Sequence, residues 1–486
     1  MPYQHGVSIN EAPTSVVSPV EASAGLPVVF GTAPLHLAET LDNVNKPVLV
    51  YTYPEAVKAL GYADDWEKYT LCEFIDSHFS KFNVAPVVFV NVLDPETHKT
   101  PVANQSVPHA NKVSTIDDDG VLIDTLIVKL TAEGAELVKG TDYVAAYDKS
   151  GKVVITAVAN GAIGTSQTSL IVSYDKLNPE AVTGNDIIGG VDGTTGDYTG
   201  LELINKVFPM YRLVPGQILA PGWSQDPVVA AVMEAKAKKI NGVFNALAVT
   251  DIDSSDTGAD LYTEVPAWKN NNNYSDPHMV ACWPKVSLGD KEYHLSTQFA
   301  GATCLTDAAN DDIPYVSPSN KALQANGAVT ASGKEVSLGQ DQASYLNGEG
   351  IVTALNWIGG WRLWGNRTSA YPAITDVKDS FIPNRRMNNW IGNTIILTYW
   401  QFVDDPTNRK MIDTVVDSLN IWLNGLVARG ALLGGRIEFR DDENPLTDLL
   451  DGIVRFHVYQ ASPVPGRQID FILEYDVNYL QSLFAA

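Results

Sequence analysis

The chain has 486 residues, of which 45% are hydrophobic and 19% are charged, and its formal net charge is -24. The length exceeds one ordinary core and predicts about two to four domains, and the composition is that of a folded protein. The acidic balance argues against a protein that wraps nucleic acid, because no excess of Lys and Arg is available to neutralise phosphates. Like subunits of this charge repel, so any assembly needs locally opposite charges or buried contacts.

The compartment is indicated by cysteine usage and by hydropathy. Three widely spaced cysteines, Cys72, Cys282 and Cys304, fit a reducing compartment without a disulfide framework. No basic segment followed by an apolar run marks a secretory signal, and no stretch reaches the roughly 18–20 apolar residues of a membrane span. We therefore expect a protein that is made in a cytoplasm and not inserted in a membrane.

The first 22 residues predict a strand that has few local partners. Apolar and polar residues alternate at Val7, Ser8, Ile9 and Asn10, and Pro13 and Pro19 follow them. Such a strand either frays or pairs with something outside its own domain.

From residue 23 the pattern is α/β. Buried strands are predicted at Val28–Gly31, Pro47–Tyr51 and Val84–Leu93, and helices at Pro54–Leu60 and Leu71–Phe79. From about 96 to 184 helical periodicity fades, and short apolar runs separated by Gly-rich turns predict a small all-β module. Because α/β patterning resumes after it, we interpret this module as an insertion into a host domain.

The second α/β stretch runs from 185 to about 345. A helix is predicted over Pro227–Lys239 with Asp226 as its cap, and strands at Val214–Ala220, Gly242–Val249 and Met279–Trp283. The polar, Gly-rich residues 311–350 predict loops.

The C-terminal part begins with a strand end at Trp364-Gly365, where glycine allows the backbone to turn. A long amphipathic helix is predicted over about Thr407–Arg429. Half-exposed strands follow at Ile437–Arg440 and Ile453–Val458. A last strand is predicted at Ile469–Tyr475, before a short tail helix at Val477–Phe484.

No motif indicates an enzyme or a cofactor site. The eight histidines are scattered without His-Glu-x-x-His spacing, and no Gly-x-Ser-x-Gly elbow occurs. The best ion candidate is an EF-hand-like spacing with weak middle ligands and no preceding helix. The residues of this spacing are Asp253, Ser255, Thr257, Gly258 and Glu264. The competing interpretation is that they form a flexible acidic turn.

Four arginines, Arg362, Arg367, Arg385 and Arg386, cluster in a chain that is otherwise poor in basic residues. They fit two interpretations equally. In the first interpretation, they pair with Asp404-Asp405 and Asp441-Asp442 inside the C-terminal domain. In the second, they pair with acidic side chains of neighbouring subunits.

A series of short motifs, in order along the chain, resembles the sheath proteins of contractile phage tails and R-type bacteriocins. Each motif alone is weak, but their shared order is strong. They are Tyr3–Val7 with Glu11, Asn45–Leu49, Gly196–Leu201, Val214–Gly216 with Leu219–Gly222, Trp364–Thr368, Arg385-Arg386, Gly430–Gly435, Glu443-Asn444 and Pro463–Phe471. Residues 96–184 depart from the family pattern, as outer insertions of such proteins do.

The resemblance implies an α/β multidomain fold with extended arms at both ends. The parts it implies are an N-terminal arm (1–22), a middle α/β domain (23–95 and 185–345), an inserted outer β-domain (96–184), an inner, tube-facing C-terminal domain (346–465) and a C-terminal arm (466–486).

The resemblance also implies a mechanical function without catalysis. Subunits would form stacked hexameric rings around a tail tube and contract to drive the tube through a host envelope during DNA ejection. The arms would donate strands to neighbours through Val7, Ser8, Ile9, Asn10, Ile469, Asp470, Phe471 and Ile472. The candidates for contact with the tube are Asn408, Arg409, Lys410 and Arg429.

The implied partners are further copies of the chain, the tail tube protein, and baseplate and tail terminator proteins, with no direct nucleic acid contact. The implied location is a virion tail assembled in the host cytoplasm. The alternative is a glycan-binding or surface-layer assembly protein, against which few clustered aromatic residues in 96–184 argue.

Overall fold

The computed structural model describes residues 18–484, and an eight-stranded sheet lies at its centre. The interior strands run parallel and the two edge strands run antiparallel to their neighbours. Across the sheet the order is Gly360–Trp364, Ile351–Trp357, Met279–Cys282, Leu247–Asp251, Gln217–Leu219, Pro27–Gly31, Val87–Asn91 and Pro47–Val50.

Alternation along the central strands places apolar side chains on both faces of this large sheet. Val28 and Phe30 belong to one buried cluster and Val29 to the other, and all five residues of Pro27–Gly31 are buried. A strand buried on both sides is apolar throughout, which explains why these runs were recognisable in the sequence.

Helices cover both faces of the large sheet. The longer ones are Tyr53–Leu60, Thr70–Ile75, Ile204–Tyr211, Pro227–Ala237, Val265–Asn271, Leu295–Ala308, Gln340–Gly348, Ile382–Tyr399 and Arg409–Ala428. Shorter ones lie at Gly184–Ile188, Val377–Ser380 and Leu446–Leu450, and Asp76–Phe82 continues the second helix as a π-helical segment. Within residues 18–484 no helix combines the length and apolar character needed to cross a bilayer.

Residues 99–177 form a β segment with its own apolar cluster. One three-stranded sheet contains Lys99–Pro108, Ser169–Leu177 and Ile127–Lys129, and the other contains Val113–Ile116, Val153–Ala157 and Tyr143–Tyr147. The β character expected for residues 96–184 matches these strands, while the domain boundaries stay a prediction.

Three smaller sheets complete the fold. One contains Lys291–Tyr293, Lys285–Leu288 and Gly327–Val329, and another pairs Gly190–Val191 with Tyr198–Thr199. The third, which we call the terminal hairpin, pairs Gly434–Glu438 with His457–Ala461 and packs against the long helix Arg409–Ala428.

Several sequence-based elements need correction. Residues 311–350 contain the strand Gly327–Val329 and the helix Gln340–Gly348, not loops alone. The strand expected at Ile453–Val458 begins at His457, because the Asn444 carboxamide takes the backbone N–H and carbonyl of Arg455 at 2.8 and 2.9 Å.

Two buried helices, Leu295–Ala308 and Ile382–Tyr399, escaped the sequence analysis. Most residues of each are buried, and many of these are Thr, Ser, Asn or Gln. A helix that is enclosed on nearly every side has no exposed polar face, so it lacks the periodic pattern of an amphipathic surface helix.

A buried polar network joins the large sheet to the helix Leu295–Ala308. Asp251, at the end of its strand, accepts a hydrogen bond from the Ser296 N–H at 2.9 Å, and His294 Nδ1 lies 2.7 Å from Glu73 Oε2. Burial opposes the ionisation of Glu73, but the charge and hydrogen bonds of His294 outweigh it and lower the Glu73 pKa. Burial likewise opposes the charged form of His294, but the Glu73 carboxylate raises the His294 pKa.

This ion pair predicts a pH-dependent contribution to stability. The part due to His294 is complete below its unfolded pKa of 6.5 and is lost as pH rises through the raised folded value. The part due to Glu73 is complete above 4.5 and is lost as pH falls through its lowered value. Glu73→Gln should therefore lower the free energy of unfolding most at about pH 4.5–6.5, and by less at alkaline pH.

Urea unfolding of both proteins between about pH 5 and pH 9 measures this difference. Glu96→Gln, which alters an exposed carboxylate paired with Lys99 at 3.7 Å, serves as the control. A Glu73→Gln effect that is constant across this range would contradict the assignment.

Candidate functional site

Two segments near the ends of the described chain are held by one helix, Ile382–Tyr399, which we call the anchor helix. Pro383 stands at its first turn, where the missing N–H costs nothing. Residues 20–25 lie along one side of the anchor helix. Residues 462–463 contact this helix near its first turn, at Asn384. We call these two segments the N-terminal root and the C-terminal root.

The N-terminal root is bound by side chains spaced four residues apart along the anchor helix. The Thr398 hydroxyl accepts from the Val20 N–H at 2.9 Å, and the Thr394 hydroxyl accepts from the Ala22 N–H at 3.1 Å. The indole of Trp390 donates to the Ala22 carbonyl at 2.8 Å, and Arg386 donates to the Ala24 carbonyl at 3.3 Å.

The spacing has a simple geometric reason. Four helical residues rise about 6 Å, and two residues of extended chain span about 6.6 Å. A column of side chains on one helix face can therefore bind every second residue of an extended segment, which is the pattern at Val20, Ala22 and Ala24. The intervening Glu21 reaches the long helix, where its carboxylate accepts from the Trp422 indole at 3.2 Å.

Arg386 also closes a buried ion pair with Asp307 of the helix Leu295–Ala308. The side chains are 3% and 4% exposed, and Arg386 Nη1 lies 2.9 Å from Asp307 Oδ1. Burial raises the pKa of Asp307 although Arg386 opposes the rise. A Cβ at Gly25 would lie 2.8 Å from Asp307 Oδ2, so only glycine allows the root to approach so closely.

The C-terminal root meets a different part of the anchor helix. The Asn384 amide donates to the Ser462 hydroxyl at 2.8 Å and to the Pro463 carbonyl at 3.3 Å. One turn further, the Asn388 carbonyl oxygen accepts from Gln460 at 3.2 Å. The terminal hairpin and the chain that leaves it are thus fixed to the same helix as the N-terminal root.

Beyond this root, residues 463–476 form no strand and are largely exposed. Phe471, Ile472 and Leu473 are 86%, 95% and 96% exposed. In an extended backbone Ile469, Phe471, Leu473 and Tyr475 share one face, and Asp470 and Glu474 lie on the other. An exposed apolar face of this length is characteristic of a segment that binds a partner.

Of the residues predicted to be donated as strands, the structure describes only those near the C-terminus. Val7, Ser8, Ile9 and Asn10 lie outside the described residues. Ile469, Asp470, Phe471 and Ile472 are all exposed, and the strand expected at Ile469–Tyr475 is not formed, since no strand of residues 18–484 lies beside this segment.

The arginine cluster pairs within the chain, but with other acids than expected. Arg385 binds Asp379 at 2.8 Å and Arg386 binds Asp307, whereas Asp404 and Asp405 are exposed and form no ion pair with these arginines in the described chain. The expected pairing with Asp404-Asp405 is therefore wrong, since the anchor helix turns Arg385 and Arg386 inward. Of the other acidic pair, Asp442 is bound by Arg440 at 2.6 Å.

The remaining two arginines of the cluster have local roles. Arg367 lies over the rings of Tyr371 and Phe381, at 4.3 and 3.6 Å, and Arg362 donates to the Asn320 carbonyl at 3.4 Å.

The candidates for tube contact lie at the ends of the long helix and are exposed. Asn408 caps this helix by accepting from the Met411 N–H at 3.0 Å, and Arg409 pairs with Asp413 at 2.9 Å. Lys410 is exposed in the first turn, and Arg429 follows the last. The helix of 20 residues separates the two groups by about 30 Å.

The EF-hand-like set forms a tight turn. The Asp253 carboxylate accepts from the Ser255 N–H at 2.9 Å and from its hydroxyl at 3.0 Å, and a Cβ at Gly258 would meet Asp253. Glu264 stands just before the helix Val265–Asn271, where its carboxylate accepts from the Leu261 N–H at 3.4 Å. Among residues 18–484 no group of three or more His, Cys, Asp or Glu is suited to a metal ion.

Sequence reasoning missed the anchor helix, although a signal for it was present. Arg386, Trp390, Thr394 and Thr398 recur every four residues after Pro383, which is helical spacing of residues able to hydrogen bond. Their partner, an extended backbone more than 360 residues earlier, could not be found from spacing.

The curated proteins similar in sequence to this chain are described as tail sheath proteins. No protein-family model matches the chain. The tail sheath protein of Burkholderia phage BcepMu is 28% identical over 495 residues, covering 99% of this chain and 98% of that protein. A prophage protein of Pseudomonas aeruginosa strain UCBPP-PA14, described as a major tail sheath protein, is 26% identical over 307 residues, covering 62% of this chain and 75% of its own.

Solved structures share the fold along almost the full length. The sheath of an extracellular contractile injection system, PVC, in its contracted state has a TM-score of 0.57 at 14% identity and covers 99% of both chains. The helical sheath of the anti-feeding prophage has a TM-score of 0.54 at 14% identity, covering 98% of this chain and all of that one. These likenesses support the α/β fold, and the identity is too low for them to show more.

The threonine contacts predict how the N-terminal root is held. Thr394→Val with Thr398→Val should preserve the fold and remove two hydrogen bonds to the root. Each lost bond is worth about 1 kcal/mol, so exchange of the Val20 and Ala22 amides should accelerate roughly fivefold. Hydrogen–deuterium exchange of the purified chain measures this.

Thr414→Val is the matched control, because that hydroxyl bonds only the Lys410 carbonyl on the outer surface, at 2.8 Å. Unchanged exchange at Val20 and Ala22 in the double variant would show that the threonines do not hold the root.

Proposed function

We propose that this chain, a member of the tail sheath proteins of contractile phage tails and injection systems, is the subunit that polymerises into the contractile sheath. The observation that carries the proposal is the end-to-end similarity to the BcepMu tail sheath protein, which covers 99% of the chain. Those relatives are structural proteins, which agrees with a mechanical role and not an enzymatic one. The same similarity does not favour the glycan-binding or surface-layer alternative.

The arrangement of the chain ends supports a lattice linked by donated strands. The exposed C-terminal segment presents an apolar face that nothing in the described chain covers, and a neighbouring subunit can bury it. In the assembly we propose, Ile469, Asp470, Phe471 and Ile472 pair with a sheet of one neighbour, and Val7, Ser8, Ile9 and Asn10 pair with a sheet of another. Backbone pairing tolerates rotation between subunits, which contraction requires.

The edges of the large sheet are poor acceptors for such strands. At one edge the Tyr211 hydroxyl donates to the Pro47 carbonyl at 2.5 Å, which occupies the outward side of Pro47–Val50. At the other edge residues 320–323 bond to Gly360–Trp364, with Leu363 N–H donating to the Lys321 carbonyl at 2.9 Å. Both edges are therefore covered within the subunit.

The longest strand of the inserted β segment is also protected. Lys99–Pro108 contains Pro101 and Pro108, which cannot donate to a neighbouring strand, and its pairing is interrupted between Val102 and Gln105. Prolines and bulges are the devices that protect sheet edges from further pairing.

The terminal hairpin has the edge best suited to accept a strand. Among residues 18–484 its sheet has two strands, so within that range His457–Ala461 has a neighbouring strand on one side and none on the other. Two partly exposed arginines lie at it, Arg436 paired with Glu438 and Arg455 paired with Asp448, and they could exchange these partners for Asp470, Glu474 or Asp476 of a donated segment. This supports the hairpin as the acceptor.

The proposed assembly has a defined radial order. Six subunits form a ring, rings stack around the tail tube, and the C-terminal domain (346–465) faces the tube through the long helix, with Asn408, Arg409, Lys410 and Arg429 as contacts. The middle domain (23–95 and 185–345) surrounds it, and the inserted β-domain (96–184) lies outermost. Baseplate and tail terminator proteins lie at the two ends of the sheath. Contraction of the sheath drives the tube through the host envelope.

The two faces of the C-terminal segment predict different effects on assembly. Phe471→Asp with Leu473→Asp should abolish sheath formation, because two carboxylates on the apolar face cannot be buried against a neighbour. Ile472→Asp, on the opposite face, should still assemble. All three positions are exposed in the free chain, so the subunits should fold alike.

Pelleting and negative-stain microscopy with the tail tube protein measure assembly. Tubes of normal length from the double variant would contradict strand donation by this segment, and no tubes from the unaltered chain would contradict the sheath assignment itself.

A matched cysteine pair tests the radial order. Val138→Cys in the inserted segment and Ile421→Cys on the long helix replace side chains that are 59% and 56% exposed. Both thiols should react with a maleimide at similar rates in free subunits. In assembled sheaths Val138→Cys should stay reactive and Ile421→Cys should be protected at least tenfold, and the reverse pattern would invert the proposed order.

A further inference from the structure

The two edges of the terminal hairpin differ in the free subunit. Asn420 of the long helix binds both backbone groups of Ile437. Its Oδ1 accepts from the Ile437 N–H at 3.0 Å, and its Nδ2 donates to the Ile437 carbonyl at 3.4 Å. A carboxamide has the same donor and acceptor pair as a peptide group, so this side chain occupies the place of a paired strand residue.

The pairing pattern fixes which backbone groups point outward. Ile437 lies opposite Val458, and Gly435 lies opposite Gln460. Because the groups of Ile437 bind Asn420 and not Val458, this is a pair without mutual hydrogen bonds, and the pattern alternates along antiparallel strands. The groups of Val458 and Gln460 therefore point away from the hairpin on its other edge, where no further strand of residues 18–484 lies.

The cap is held in place by the long helix. Val415, Leu419, Trp422 and Leu423 of this helix are buried, and a Cβ at Gly435 would lie 3.2 Å from the Leu423 Cβ. Asn420 itself is half-buried, and its side chain reaches the sheet edge from a helix whose inner face is packed against the core.

We propose that Asn420 is a removable cap that sets the order in which neighbouring copies of this chain add strands. The first incoming strand pairs at the open edge of His457–Ala461. A second strand pairs at Gly434–Glu438 only after the Asn420 carboxamide rotates away and releases Ile437. The cap thus slows polymerisation of free subunits away from a nucleating tube. This inference rests on the proposed sheath function and adds a control of its assembly.

Asn420→Ala tests the cap directly. It leaves the N–H and carbonyl of Ile437 unpaired at a sheet edge, which favours addition of a strand. Without tube protein, the concentration at which the chain begins to polymerise should fall at least about fivefold, because two hydrogen bonds to Ile437 are lost and one net hydrogen bond alone corresponds to about that ratio. Asn424→Ala, an exposed asparagine one turn further along the helix, should match the unaltered chain. Light scattering and sedimentation of the full-length chain measure the threshold.

A second measurement covers the case in which Asn420→Ala misfolds. In unaltered free subunits the Ile437 amide should exchange with deuterium at least fivefold more slowly than the Gln460 amide, and both should be protected in assembled sheaths.

Equal exchange of these two amides, or an unchanged threshold in a folded Asn420→Ala chain, would overturn the cap and leave the sheath function standing. If the unaltered chain forms no sheath with its tube protein, the proposed function fails together with the cap.

Discussion

The face of the anchor helix that carries Arg386, Trp390, Thr394 and Thr398 is the constraint on which the arrangement of the chain ends depends. It binds the backbone of residues 20–24, which are separated from it by more than 360 residues. Arg386 in turn fixes this face to the helix Leu295–Ala308 through Asp307. Removing either Arg386 or Asp307 would leave the other buried charge without a partner, which typically lowers the free energy of unfolding by about 3–5 kcal/mol.

Attachment of both roots to one helix has a mechanical consequence. The N-terminal root lies along one face, and the C-terminal root is bound by Asn384 and Asn388. A pull on either end of the chain is therefore carried first by the anchor helix, its ion pair and its packing on the large sheet. The inserted β segment, which has its own apolar cluster, lies outside this path. In the proposed assembly, a lattice linked through the chain ends would bear load without straining that segment.

The distribution of charge and of exposed apolar side chains distinguishes surfaces that repel other copies of the chain from surfaces suited to bind them. The net charge of -24 keeps free subunits apart, and the covered edges of the large sheet prevent unspecific strand pairing. Against this background the exposed apolar face from Ile469 to Tyr475 and the open edge of His457–Ala461 are exceptions. In the proposed assembly these two features meet in neighbouring subunits, because the exposed apolar face needs burial and the open edge can accept a strand.

The sequence by itself determined the elements that carry a local pattern. The central strands were recognisable because parallel strands buried on both sides are apolar throughout, and the long helix because one of its faces is exposed. The order of short motifs indicated a resemblance to tail sheath proteins, which the comparison with the BcepMu protein supports. The strand expected at Ile469–Tyr475 is not formed in the described chain. Asp226 and Pro227 predicted the start of their helix correctly.

Only the tertiary structure decided where the arginines point and what the chain ends touch. The sequence left open whether Arg385 and Arg386 pair with Asp404 and Asp405 or with neighbouring subunits, but the enclosed anchor helix directs them to Asp379 and Asp307. A helix buried on nearly all sides has no amphipathic pattern, and contacts between residues hundreds of positions apart leave no periodic trace. Asn420 shows the same limit, since an asparagine on a helix reveals a sheet edge only when the fold brings Ile437 beside it.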